Sequence, residues 1–400
     1  MRRQSSSQNT PTAIPAGYAF RLAWRQLSYQ KVRFFTAVAG VVFACILVFM
    51  QIGFKTALFE SATLLQRTMT GQIYLSDVQS EAIWRLVPFP RKTLYRALSV
   101  PDVQDVSAMY VGQAPWKNPV TGVNRTALIL GIDPNVDVFP FEGLSEAAPK
   151  LRMRNVVLFD EFSRPEFGPV KQILAEKGEF PVEVAGRNLD VVGTYKMGIT
   201  FSADGNLIVN DTTFFELFPA KSPQGVDVGI VKLAPGADIL RVQKELRDIM
   251  PVNIKVMTRE EYVEDEKAYW NNITPIGYIF NFGVIMGLFV GLVIVYQVLY
   301  NDINNHMHEY ATLKAMGYED SYFVKVVLSS AAIFVVVGFF PSWLLCSALY
   351  KVVQASIFIE MNLSFEKALL TFCLISGMCF ISALLAVRKL KVANPVDVFQ

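Results

Sequence analysis

The chain has 400 residues, and its 37 Lys and Arg against 35 Asp and Glu leave a net charge of +2, too small an excess for a dedicated nucleic-acid binder. Hydrophobic residues make up 52% of it and charged residues only 18%, against roughly 25% charged in an ordinary soluble chain. The balance excludes a simple water-soluble globule and points to a protein embedded in a lipid bilayer.

The first 17 residues, rich in Ser, Gln, Thr and Pro, read as disordered. Residues 18–33 follow as a cytoplasmic entry helix. In it Phe20, Trp24 and Leu27 keep helical spacing beside Arg21, Arg25 and Lys31, a pattern that suits either the headgroup layer or packing on protein. Four stretches then lack Asp, Glu, Lys and Arg altogether: Phe34–Phe54, Ala268–Asn301, Val326–Tyr350 and Ala368–Val387. A helix needs about 20 apolar residues to cross ~30 Å of hydrocarbon. We therefore place transmembrane helices at 34–54, 272–300, 323–350 and 368–387. Some thirty polar or mixed residues precede the first, so it reads as a retained anchor rather than a cleaved leader.

Basic residues set the orientation. Arg2, Arg3, Arg21, Arg25, Lys31 and Arg33 precede the first span, and Arg388, Lys389 and Lys391 follow the last, so both termini are expected in the cytoplasm. Residues 55–267 then lie outside the cytoplasm, 301–322 form a cytoplasmic loop, 351–367 a short external loop and 388–400 a cytoplasmic tail. All four cysteines, Cys45, Cys346, Cys373 and Cys379, fall in the spans and read as small packing residues. His306 and His308, with only Glu309 beside them, supply too few ligands for a metal and read as solvated loop residues.

The external region reads as a folded mixed α/β domain. Short β-rich runs recur at Gln72–Leu75, Thr126–Ile132, Asn155–Phe159, Val182–Ala185, Leu189–Tyr195, Asn206–Val209, Val226–Leu233 and Asn253–Met257. Asp238–Met250 has helical spacing of Ile239, Val242, Leu246 and Ile249 against charged residues. Pro134–Pro149 is a candidate seam between two lobes. Thr258-Arg259-Glu260-Glu261 matches a capping box, so a helix starts at Thr258, with Glu261 reaching back. It is expected to run through Tyr262, Tyr269 and Trp270 to a bend at Pro275. With Lys55–Met69 it would form a two-helix stalk. Whether such a stalk transmits motion or simply joins the membrane to the domain stays open at this level.

In the second span Gly283, Gly287 and Gly291 share one helical stripe. Small residues let helices approach closely in lipid, so the stripe is a candidate for bundle packing or for a dimer interface. In the cytoplasmic loop, Tyr310, Leu313 and Met316 are expected on one helical face, flanked by Glu309 and Lys314 and ended by Gly317. No G-x4-G-K-[ST] phosphate loop, G-x-S-x-G elbow or H-E-x-x-H motif occurs, and the spans carry no carboxylate suited to ion coupling. The chain is therefore not expected to be an enzyme, and a membrane hydrolase or an ion-coupled carrier is disfavoured.

Glu309-Tyr310-Ala311-Thr312-Leu313-Lys314-Ala315-Met316-Gly317 resembles the E-I-G-x-L-K-A-L-G signature of the MacB/FtsX superfamily of ABC transporter permeases, with Tyr310 and Ala311 replacing Ile and Gly. Ala23-Trp24-Arg25-Gln26-Leu27 with Lys31 and Arg33 resembles that superfamily's entry helix. Val100-Pro101-Asp102-Val103 resembles its L-P-G-V turn, Gly131-Ile132-Asp133-Pro134 its G-x-D-P motif, and Asn394-Pro395-Val396-Asp397 its D-P-x-E-A tail. Within the superfamily the length, the Phe89-Pro90 region and Asn155–Asp160 look most like the DevC-type permease of cyanobacterial glycolipid exporters.

The resemblance implies an α-helical membrane protein with four transmembrane helices and a MacB-like, two-lobed periplasmic α/β domain on a helical stalk, in a bacterial inner membrane. It implies that Glu309, Tyr310, Leu313, Lys314, Met316 and Gly317 dock a separate cytoplasmic ABC ATPase, which binds the ATP and Mg that this chain does not. It also implies a homodimer working with a periplasmic membrane-fusion adaptor and a TolC-like outer-membrane channel to export a glycolipid-like lipid or amphiphile. Two alternatives share the topology: an FtsX-like non-transporting regulator of a cell-wall hydrolase, and a lipoprotein-releasing permease.

Overall fold

A computed structural model describes residues 16–29, 31–136, 138–201, 203–357 and 361–390. The termini, including Arg2, Arg3, Lys391 and the Asn394–Asp397 tail, lie outside the described residues, as do the side chains of Leu27 and Arg33. The chain divides into two compact units, one from residues 1–55, 279–356 and 361–400, the other from 56–278 with 357–360.

The first unit is helical. It contains α1 (Ala16–Tyr29) and most of α2 (Lys31–Ala62). The connecting residues of the second unit carry the short α3 (Leu64–Thr68), α4 (Arg91–Tyr95), α5 (Leu144–Ala147), α6 (Val170–Lys177), α7 (Asp211–Leu217), α8 (Ile239–Ile249) and α9 (Arg259–Ala268). The remaining helices are α10 (Pro275–Asn305), α11 (Met307–Ala315), α12 (Asp320–Ile357) and α13 (Phe365–Leu390). Among the described residues four helices are long and apolar enough to cross a membrane, over Phe34–Ala62, Pro275–Asn305, Ser321–Ser356 and Phe365–Arg388. Each charge-free run thus marks a helix that continues past it: α2 passes Phe54 to Ala62, and α12 passes Tyr350 to Ile357. An apolar run measures the hydrocarbon a helix crosses, not where its backbone hydrogen bonds end. In the first unit Val41 and Val48 of α2, Leu299 of α10, Phe334 of α12 and Ala383 of α13 share one buried core. Cys45, Cys346 and Cys379 are buried, whereas Cys373 is exposed.

The second unit is organised by eleven strands: β1 (Ile73–Asp77), β2 (Phe89–Pro90), β3 (Val103–Lys117), β4 (Asn124–Ile132), β5 (Val156–Asp160), β6 (Phe180–Val184), β7 (Arg187–Tyr195), β8 (Asn206–Asn210), β9 (Gly225–Val226), β10 (Val228–Leu233) and β11 (Ile254–Thr258). Nine of them form one sheet in the order β11-β1-β10-β3-β4-β8-β5-β7-β6, and β2 pairs with β9 apart from it. Pairing is antiparallel except for β4 with β8 and β5 with β7. The far strand β6 returns to β3, where Trp116 faces Val184 and the Ala185 amide donates to the Pro115 carbonyl at 2.9 Å. Strands β3 to β6 therefore curl towards a closed ring around buried Trp116, Phe159, Val191 and Leu207, leaving β10, β1 and β11 as an open wing.

The expected seam at Pro134–Pro149 is not a linker. Val138, Phe139, Phe141 and Leu144 are buried in a core that also holds Tyr74 of β1 and Leu158 of β5. One hydrogen-bonded sheet runs through the whole unit because β3, at 15 residues, is long enough to belong to both the wing and the ring.

Helices α7, α8 and α9 start directly after strands or turns on side-chain caps. The Asn210 side chain accepts from the Thr213 amide, Asp238 from those of Leu240 and Arg241, and Thr258 from that of Glu261. One carbonyl of β11 is capped by side chains: that of Val256 accepts from Gln243 Nε2 at 3.0 Å and from Arg247 Nε and a terminal guanidinium nitrogen at 3.2 and 3.0 Å.

At the end of β5, Asp160 is fully buried and accepts from the amides of Phe162 (3.1 Å), Met197 (3.0 Å) and Gly198 (3.0 Å) and from Asn206 Nδ2 (2.9 Å). It ties the 196–206 loop to the sheet. Asp160→Ala leaves these donors without an acceptor and is expected to cost about 3–5 kcal/mol of unit stability, read as a fall in the midpoint of denaturant unfolding of the full chain in detergent.

Candidate functional site

The nine-residue helix α11 sits between α10 and α12. It starts from His306, whose amide donates to the Asp302 carbonyl at 3.1 Å, and whose Nδ1 lies 2.9 Å from the same oxygen. His306 is buried rather than solvated, because the chain turns from α10 into α11 at that residue; His308 is the exposed one. The helix ends in a Schellman motif: Gly317, at φ +96°, donates to the Lys314 carbonyl at 3.0 Å, and the Tyr318 amide to that of Leu313 at 3.2 Å.

Expected as one face, Tyr310, Leu313 and Met316 are split. Tyr310 is 2% exposed, with its ring 5.3 Å edge-on to Phe323, and Leu313 is half-buried against the same core. Met316 follows the helix and is 64% exposed. Tyr310 thus faces inward, and its burial pushes its phenol pKa up, with the Asp302 charge adding to the rise. Outward on the helix are His308, Glu309, Thr312 and Ala315.

Gln26, which the sequence reading named only within the entry-helix motif, joins α1 to this helix. Gln26 is buried beside Ala23, donates through Nε2 to Glu309 at 3.3 Å and accepts from the Tyr310 hydroxyl at 3.4 Å. One amide side chain thus uses both its donor and its acceptor on consecutive residues of α11. The available signal was the i, i+3 spacing of Ala23 and Gln26, opposite exposed Phe20 and Trp24.

The glycine stripe of α10 is occupied within the chain. A Cβ on Gly283 would lie 2.4 Å from Cδ of Gln51. On Gly287 it would lie 3.3 Å from Cβ of Leu47, and on Gly291 2.7 Å from Cβ of Ala44 and 2.4 Å from Sδ of Met378. These three residues let α2 and, at Gly291, α13 approach α10 closely. The stripe thus serves packing within the chain.

In the second unit Thr258 and Glu261 form a reciprocal cap: Glu261 N donates to Thr258 Oγ1 at 3.2 Å and Thr258 N to Glu261 Oε2 at 2.9 Å. Glu261 also accepts from Gln243 and Arg247. Burial works to raise its carboxyl pKa, but the Thr258 amide, Gln243 and Arg247 together hold it below the usual range. The helix runs through Tyr262, Tyr269 and Trp270 as expected, but at Pro275 the chain breaks instead of bending, with Thr274 extended. α9 stops at Ala268, a π-turn covers Tyr269–Ile273, and Pro275 is the first residue of α10. Proline is accommodated there because a first-turn amide has no intrahelical partner to lose.

Where the chain enters and leaves this unit lies a carboxylate that no sequence motif marks. Glu266 is 2% exposed. Its Oε2 accepts from Gln66 Nε2 on α3 and from the Ile83 amide, each at 2.9 Å, and its Oε1 from Trp270 Nε1 at 2.9 Å. Burial pushes its pKa up to about 7 against the pull of these donors, and Asp265 adds to the rise.

Two family models match the sequence in tandem: the MacB-like periplasmic core domain over residues 34–249, more than half the chain, and the FtsX-like permease C-terminal domain over residues 281–395. The molecule is a membrane permease of the ABC transporter type. It belongs to the MacB/FtsX family, whose permeases work with a cytoplasmic ABC ATPase. Its four membrane-length helices and MacB-like periplasmic domain fit an inner-membrane protein. Among solved structures, the extracellular domain of the noncanonic ABC-type transporter YknZ from Gram-positive bacteria is 14% identical, covering 47% of this chain and 100% of that one at a TM-score of 0.34. The periplasmic region of MacB from Actinobacillus actinomycetemcomitans is 14% identical, covering 48% of this chain and 91% of that one at a TM-score of 0.34. No protein of curated function matches the sequence.

Two expectations follow. An acid whose folded pKa is raised contributes stability below its unfolded value that is lost as pH rises through the folded one. Glu266 should therefore make the second unit lose stability between pH 5 and 8, and Glu266→Gln should flatten that slope, measured by thermal unfolding across the range. Gly291→Val forces α2 or Met378 aside and is expected to destabilise the helical unit by about 1–3 kcal/mol, seen as a lower unfolding midpoint in detergent.

Proposed function

We propose that the chain is the membrane subunit of an ABC-type exporter, with both termini and α11 in the cytoplasm, and that a separate ATPase docks on α11. The observation that carries this reading is the asymmetry of α11. Its inner side is fixed to the bundle through Tyr310, Phe323 and Gln26, while Met316 and the Glu309 side of the helix face outward. A force applied to the outer side is passed to α12 through packed rings rather than absorbed by a slack loop. Glu309, Lys314, Met316 and Gly317 are the proposed contacts. Tyr310 and Leu313 act as the anchorage beneath them.

In this reading ATP and Mg reside on the ATPase, and the permease works as a homodimer. Motion reaches the periplasmic domain along α2 and the α9–α10 connection, which serve as its stalk. The cargo is a lipid or amphiphile of glycolipid type, passed to a membrane-fusion adaptor and an outer-membrane channel, as in DevC-type systems. A second reading, an FtsX-like regulator of a cell-wall hydrolase, draws support from the FtsX-like match over residues 281–395 and uses the same docking helix. Cross-linking of the periplasmic domain in cells discriminates them: export predicts captured adaptor and lipid, regulation a captured hydrolase.

Met316→Asp places a charge in the proposed contact and is expected to lower co-purification of the ATPase at least tenfold, about 1.4 kcal/mol of association, while Met316→Leu retains it. The permease itself should melt unchanged, since Met316 lies past the end of the helix. Undiminished co-purification of the Asp variant would overturn the docking site.

A further inference from the structure

The charge-free run Phe34–Phe54 contains one amide side chain, Gln51, and the helical unit gives it a berth but no partner. Gln51 is half-buried on α2, in the space that a Cβ on Gly283 of α10 would take, 2.4 Å from its Cδ. Among the described residues its amide makes no hydrogen bond, through either nitrogen or oxygen. One turn further along α2, Lys55 Nζ donates to Asn281 Oδ1 of α10 at 2.8 Å. Asn281 is exposed, and among the described residues its Nδ2 donates to nothing.

The lengths of the two helices set the depth of this cluster. From Phe34 the charge-free run of α2 ends at Phe54 after about 30 Å of helix, and α10 covers about the same rise between Asn301, the last residue before Asp302, and Asn281. Lys55 and Asn281 therefore meet where hydrocarbon gives way to headgroups, and Gln51 lies about 6 Å inside that border. An amide facing water is solvated at no cost, but one facing hydrocarbon has no partner unless the lipid supplies it. The lipid group at that depth is the phosphate, an acceptor for several N–H donors at once, and the Lys55 ammonium matches its charge. Beside the glycine stripe, exposed Phe282, Ile285 and Phe289 keep helical spacing down α10, an apolar track along which an acyl chain can lie.

We propose that Gln51, Lys55 and Asn281 bind the phosphate of a membrane lipid at the end of α2 and α10 remote from α11, with its acyl chain along Phe282, Ile285 and Phe289. Such a site presupposes that α2 and α10 span the membrane, and is independent of what the permease exports. Gly283 then differs from Gly287 and Gly291: it makes room for a ligand-binding amide rather than for close approach alone.

The test uses the full chain in dodecyl maltoside, with a tail-labelled fluorescent phosphatidylglycerol as the probe read by anisotropy. Unlabelled phosphatidylglycerol should displace it, diacylglycerol with the same chains at least tenfold less well, and inorganic phosphate not at all. Gln51→Leu and Lys55→Met should each weaken binding at least tenfold, while Lys55→Arg retains it. The pair of Lys55 variants keeps the result independent of how Gln51 packs. Equal displacement by diacylglycerol overturns the site, since the headgroup is then not read; displacement by inorganic phosphate overturns the lipid as its ligand. Undiminished affinity in Gln51→Leu and Lys55→Met places the lipid elsewhere and overturns it too. In nanodiscs a nitroxide on Phe289→Cys, in a Cys373→Ser background where the other cysteines are buried, reports the premise separately. Ready access of oxygen with exclusion of a nickel chelate supports spanning, and the reverse overturns spanning and the site with it.

Discussion

A buried carboxylate with three donors ties together the segments by which the chain enters and leaves the strand-bearing unit. Glu266 binds α3, which follows α2, the 82–85 turn, and Trp270, which precedes α10. An isolated buried charge costs several kcal/mol, and the cost is offset only when each oxygen is hydrogen-bonded. The arrangement is therefore specific: the entering segment, the leaving segment and the turn must all be in place for any of them to be favourable. The raised pKa shows how closely burial and donors are balanced.

Much of the architecture was legible because lipid and sheet impose simple rules. Charge-free runs located all four membrane-length helices, since a charge in hydrocarbon is costly. Thr258 and Glu261 marked the start of α9 because orphan amides call for that side-chain chemistry. β3 escaped notice. Its sequence holds Asp105, Gly112 and Pro115 and never settles into alternation, for it is buried by the wing along one stretch and by the ring along another. Pro115 is tolerated because its carbonyl, not its missing amide, serves the link to Ala185.

The docking helix shows a different limit. Periodicity can say that Tyr310, Leu313 and Met316 are apolar and spaced alike, but not which side of a nine-residue helix the bundle claims. Packing against Phe323 and the hydrogen bond to Gln26, 284 positions away, decide it, and neither is local. Glu266 was illegible for the same reason: its partners at 66, 83 and 270 are brought together by the fold. The glycines, by contrast, were readable as a close-approach stripe, while the choice of α2 as partner is set by the fold.

The rim of β11 has a bearing on life in a crowded envelope. With β6 folded back on β3 and the Val256 carbonyl stoppered by Gln243 and Arg247, the sheet offers passing chains little to zip onto. Each of these two contacts removes backbone groups from the reach of a neighbouring chain and leaves side chains to make any contact there.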